Sequence, residues 1–184
     1  MTDGLRLPYE AQCYSGKTLF LPPEVLLIAH GADGGGGNGN AENPDTVLRI
    51  QYALSTPWLF HATVALSLDE LTPERRGRYL HFGEIYKEFI RPILPTCRVY
   101  HHSPVSSRGG VESSPWFAME FASPDKKKGW ALIIRIGMSD SDVYHFHPRG
   151  LDRGEEYKVT SDNTGETAEE DGLDLINDGL ALRL

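Results

Sequence analysis

The chain has 184 residues, 40% apolar and 24% charged, ordinary proportions for a globular protein of about one domain. Eighteen Lys+Arg against 26 Asp+Glu leave a formal charge of −8, which excludes the basic footprint that a nucleic-acid backbone requires. No stretch approaches the roughly 18–20 apolar residues that cross a bilayer, so a membrane-spanning helix is excluded as well.

In chain order, Met1 to Leu7 mixes acid, Gly and Arg, without the charged and then apolar regions of a signal peptide. Leu19-Phe20-Leu21 is a short apolar run stopped by Pro22 and Pro23. Val25 to Ala29 has the profile of a strand buried on both faces and ends at His30-Gly31. Asp33 to Asn40 is a glycine-rich loop whose side chains cannot pack. Asp45 is placed to cap a short helix over Thr46 to Leu54, with Val47, Ile50 and Leu54 on one face.

The strongest helical signal follows. Thr72 offers a capping oxygen, Pro73 takes the first helical position and Glu74 suits the positive end of the dipole. Tyr79, Phe82, Tyr86, Phe89 and Ile90 recur at steps of three and four, which predicts one apolar face and a helix over 73–91 ended by Pro92 and Pro95. From residue 96 onward the pattern changes to short strands: 98–102, 116–122, 130–137, 143–147, 157–161 and 179–184. Turn chemistry separates them at Gly109-Gly110, Pro124-Asp125, Ser139 to Asp142, Gly150 to Gly154 and Asn163 to Gly165. Helix first and strands after predicts an α+β chain divided into 1–95 and 96–184, the second part an antiparallel β-sandwich.

The motifs that carry chemistry are sparse. Gly34, Gly36 and Gly39 fit G-x-G-x-x-G, but Asn40 to Pro44 stands where the phosphate-binding helix must begin, so the run is a loop. His145 and His147 share one face of a strand yet lack a Cys or Glu partner in register, and His101 and His102 point to opposite faces; no metal or cofactor is expected. The acid pairs Asp140/Asp142, Glu155/Glu156 and Glu169-Glu170-Asp171 fall in or beside predicted turns, where carboxylates are solvated rather than poised for acid–base work. Cys13 and Cys97 exclude a disulfide framework and a four-thiolate zinc site, and neither carries a nucleophile signature. Ser103, Ser106 and Ser107 belong to a turn region, and Trp58, Trp116 and Trp130 read as core. These features together suit a reduced, cytoplasmic setting.

Several segments in order carry a resemblance. Leu71-Thr-Pro-Glu74 followed by Ile85-Tyr-Lys-Glu-Phe-Ile-Arg-Pro92 resembles the stretch that leaves the catalytic barrel in melibiase-type α-galactosidases of glycoside hydrolase family 36. Arg149-Gly-Leu-Asp152 with Glu156-Tyr-Lys-Val159 is similar to a strand pair near that family's chain end, and Gly172 to Leu180 to its closing segment. Leu19-Phe-Leu-Pro-Pro-Glu24 and Ala29-His-Gly31 resemble the last barrel strand and its approach.

The resemblance covers 19–184. It implies the C-terminal part of an α-galactosidase-like glycoside hydrolase: the last elements of a (β/α)₈ barrel followed by an antiparallel sandwich. It implies a retaining mechanism in the full enzyme, with a nucleophilic and an acid/base aspartate on barrel strands upstream of this chain, hence no catalytic residue here. A complete barrel takes about 250 residues. His30 and Asp33 are the substrate-binding candidates that it implies, with an α-galactoside as the ligand of the whole enzyme. Thr160-Ser-Asp-Asn-Thr164 is similar to the family's acid/base neighbourhood, but it lies between sandwich strands, so the role does not pass to Asp162. Two alternatives stay open, a stand-alone module that binds carbohydrate through exposed aromatics and a purely structural module. A chain separated from its barrel is also expected to expose Val25 to Ala29 and the helix face from Tyr79 to Ile90, and to self-associate through them.

Overall fold

A computed structural model describes residues 16, 18–21, 72–103, 115–135 and 141–183. The predicted strand 25–29, the glycine run 33–40 and the helix 46–54 lie outside the described residues. Helix α1 spans Pro73–Ile85, with Glu74 in its first turn as the dipole requires. It does not stop at Pro92. A π turn at Tyr86–Ile90, an α turn at Arg91–Ile93 and a 3₁₀ turn at Leu94–Thr96 continue it.

The π turn explains two departures from the sequence reading. The Arg91 N–H reaches back five residues to the Tyr86 carbonyl, which opens the helix just where the Pro92 ring would meet the preceding turn. The wider turn keeps Tyr86 and Ile90 in line but rotates Phe89 outward, where it is exposed. Phe82, Tyr86 and Ile90 of the predicted apolar face are buried rather than left open. Phe82, Tyr86, Ile90 and Leu94 form one cluster against Ile85, Cys97 and Trp130.

Among the described residues seven strands follow: β1 Arg98–His101, β2 Trp116–Ala122, β3 Gly129–Arg135, β4 Val143–Phe146, β5 Glu156–Thr160, β6 Thr167–Asp171 and β7 Leu180–Arg183. A six-residue helix α2, Gly172–Asn177, separates the last two. All pairings are antiparallel. They make a three-stranded sheet β1-β2-β3 and two two-stranded sheets, β4-β7 and β5-β6. Thus the α+β class and the antiparallel strands are as the sequence indicates, with the strands divided among three small sheets. The acids Glu169, Glu170 and Asp171, expected beside a turn, instead lie in β6 and pair with β5 from Lys158 to Glu156.

Strand β2 is the centre of the core, because every one of its seven residues is buried. One face carries Phe117, Met119 and Phe121. Phe121 stacks on its cross-strand partner Trp130, with centroids 4.8 Å apart and planes within 4°, and Trp130 touches the helical cluster. Full burial of a side chain such as Phe121 or Met119 contributes about 1.5–3 kcal/mol. The other face carries Trp116, Ala118, Glu120 and Ala122. Tyr144 and Phe146, two residues apart on β4, meet Trp116 and His102 there, with ring centroids 5.5 Å and 5.0 Å apart. Helix on one side and β4 on the other leave β2 almost no contact with water.

Candidate functional site

The substrate-binding candidates His30 and Asp33 lie outside the described residues, as do Cys13, Trp58, Ser106, Ser107 and Asp140. The remaining candidates have definite places. Trp116 is buried at 8% exposure and lies beneath Tyr144. Trp130 has one face covered by Phe121. Both tryptophans pack in the core, Trp116 buried and Trp130 partly so.

The histidines do not converge. His101 and His102 point to opposite faces, as strand geometry demands. His101 Nε2 lies 3.3 Å from the Thr18 hydroxyl, and His102 Nε2 lies 2.8 Å from Glu120. Burial lowers the pKa of His101 from its ordinary value, with the neighbouring His102 adding to the effect. His145 is exposed on β4, whereas the His147 ring lies against Gly179 and the Ile176 carbonyl. Among the described residues no group of three His, Cys, Asp or Glu side chains could hold a metal ion.

The acids are likewise dispersed. Glu155 lies 3.7 Å from the Lys127 ammonium, both well exposed. Asp171 caps α2 by accepting from the Leu173 N–H at 2.7 Å. Asp162, in the turn between β5 and β6, meets His81 of α1 at 2.6 Å on the surface. These acids serve as a helix cap and as surface ties. Ser103 is not a nucleophile either. Its hydroxyl donates to the Trp116 carbonyl at 3.0 Å and accepts from the Ala118 N–H at 2.7 Å, which ties the end of β1 to β2. The Cys97 thiol donates to the Leu94 carbonyl.

One polar cluster escaped the sequence reading. Glu120, only 3% exposed, sits in the middle of β2. Its carboxylate accepts from the Arg149 N–H at 2.9 Å, the Gly150 N–H at 2.8 Å and His102 Nε2 at 2.8 Å. An ionised carboxylate only accepts, so the imidazole donates through Nε2. Two successive backbone N–H groups aimed at one anion form a small nest. They and the imidazole offset the desolvation of a charge that costs several kcal/mol to bury. Gly150 is required here, since a Cβ on it would strike Ala122 and lie 2.8 Å from Tyr100 and 3.0 Å from Glu120. The sequence held a signal, a lone Glu inside Trp116-Phe-Ala-Met-Glu-Phe-Ala122, but its partners are 18 to 30 residues away.

No protein-family model matches the chain, and no curated protein matches it. Solved structures do. The chain is similar to the glycoside hydrolase family 36 α-galactosidase AgaA of Geobacillus stearothermophilus in complex with 1-deoxygalactonojirimycin, with a TM-score of 0.74 at 16% identity, covering 100% of this chain and 23% of that one. The α-galactosidase of Lactobacillus brevis gives 0.71 at 14% identity, covering 99% and 23%. The galactosidase domain of the α-galactosidase–sucrose kinase AgaSK gives 0.72 at 13% identity, covering 100% and 23%. The chain therefore spans less than a quarter of the length of these enzymes. Across its whole length it has the fold of a part of the family 36 α-galactosidases.

Proposed function

We propose that this chain is the C-terminal portion of an α-galactosidase-like glycoside hydrolase, made of the last barrel elements and an antiparallel β-sandwich. In this reading it supplies packing and one wall of the sugar pocket through His30 and Asp33, and the reacting aspartates belong to the barrel. The observation that supports it most is the coverage: a fold likeness over 100% of this chain extends over 23% of the α-galactosidase. The order of the resembling segments, from Leu19-Phe-Leu-Pro-Pro-Glu24 to Gly172 through Leu180, supports the C-terminal placement.

The same likeness supports an α-galactoside as the substrate class, since variants of AgaA have been solved with raffinose and with stachyose. A retaining hydrolysis in the complete enzyme needs two carboxylates about 5–5.5 Å apart, and the acids described above serve as caps and surface ties. The turn at Leu19, Phe20 and Leu21 supports packing against a further body. These three apolar residues are exposed, Phe20 at 86%, and such surface favours burial or self-association. Incubation of the purified chain with an aryl α-galactoside tests the reading: no release of the aryl alcohol above the uncatalysed rate is expected. Turnover proportional to the concentration of this chain alone would refute it.

A further inference from the structure

Glu120 is buried, ionisable and unused by any proposed chemistry, and its bonds are unusual in what they join. Strand β2 belongs to the three-stranded sheet, whereas Arg149 and Gly150 belong to the segment between β4 and β5. That segment therefore enters both two-stranded sheets, β4-β7 on one side and β5-β6 on the other. A two-stranded sheet is marginal by itself and needs a partner layer. Other ties between these parts are aromatic contacts, Trp116–Tyr144 and His102–Phe146, and more exposed polar contacts: Tyr157 Oη to the Lys126 carbonyl at 2.7 Å, the Arg149 guanidinium to the His101 carbonyl at 3.4 Å and over the Tyr100 ring, and Lys127 to Glu155 at 3.7 Å. Apolar contacts tolerate sliding, whereas three convergent charge-assisted bonds define one position.

We propose that the Glu120 carboxylate is a conformational latch that fixes the segment around Arg149 and Gly150, and with it the second sheet, on the first. His102 completes the latch by holding the second carboxylate oxygen, Oε2, at 2.8 Å. Its ring lies 5.0 Å from Phe146 of β4, so one imidazole serves both the carboxylate and the seated strand. With the latch broken, the first sheet stays intact on the helix while the second loosens.

The test is amide hydrogen exchange by NMR on the full chain, comparing wild type with Glu120→Gln. Gln keeps the shape and one acceptor oxygen, so the Gly150 N–H retains a partner and the Arg149 N–H loses its better one. A bond to a charged group shifts an opening equilibrium roughly tenfold or more. Exchange at Arg149 should therefore quicken at least about tenfold, β4 and β7 should follow, and β2 and β3 should keep their protection. Unchanged exchange at Arg149, or equal acceleration at every amide, would overturn the latch. Should the variant not fold, the wild type still decides: trans-hydrogen-bond couplings from the Arg149 and Gly150 nitrogens to the Glu120 carboxyl carbon should be present, and their absence would overturn it.

Discussion

One chemical change, a methyl group added to glycine, should have opposite effects at two positions of this chain. Gly77 lies inside α1, where a Cβ would find nothing within 4 Å. A glycine there costs the helix about 0.5–1 kcal/mol relative to alanine, so Gly77→Ala should stabilise by about that amount. Gly150 lies against the buried β2. A Cβ there would strike the Ala122 methyl and crowd Tyr100 at 2.8 Å. Neither Ala122 nor its neighbours can retreat, because β2 is covered on both faces. Overpacking of this kind costs about 1–3 kcal/mol. Backing the segment away would also stretch the Gly150 bond to Glu120, costing about 1–3 kcal/mol more. Gly150→Ala should thus destabilise by about 2–6 kcal/mol. Urea denaturation followed by tryptophan fluorescence measures both, given a common dependence on denaturant. A Gly150→Ala variant within about 0.5 kcal/mol of wild type would refute the close-approach argument.

Truncation of Phe121 to alanine removes the ring stacked on Trp130 and should cost about 3–5 kcal/mol, with loss of near-ultraviolet dichroism from the tryptophan. Asp171→Ala removes the N-cap of α2 and should cost about 1 kcal/mol, read as a lower melting temperature, with Asp171→Asn recovering most of it. His101 has a pKa held below its ordinary value of 6.5 by burial and by His102. The unfolded chain then takes up the proton more readily, so stability should fall as pH drops through about 6.5. In a urea series from pH 5 to 8, His101→Asn should flatten that slope relative to wild type. An identical slope would show that His101 is not its source.

The elements legible in the sequence were those with a local physical cause. Thr72, Pro73 and Glu74 mark the start of α1, and the apolar run from Trp116 to Ala122 marks β2 to the residue. Strand β6, Thr167–Asp171, escaped because three consecutive acids disguise it. Its pairing with β5 across the turn at Asp162 to Gly165 stabilises it, not its own propensity. Passage of the helix through Pro92 escaped for a similar reason, since a π turn has no compositional mark. The Glu120 cluster is the furthest from legibility. Its three donors come from the end of β1 and the segment after β4, and only the folded register brings them together. The family resemblance, by contrast, rests on the order of short segments, and a fold likeness to a solved family 36 structure extends over 100% of the chain.

In the proposed function this chain is part of a larger glycosidase and contributes packing rather than chemistry. An immunoblot of extract from the source cells, with an antibody raised against the exposed hairpin β5-β6, tests it directly. A single band far above the 20.5 kDa of this chain is expected, co-fractionating with α-galactosidase activity. A band at 20.5 kDa alone, apart from any such activity, would contradict it.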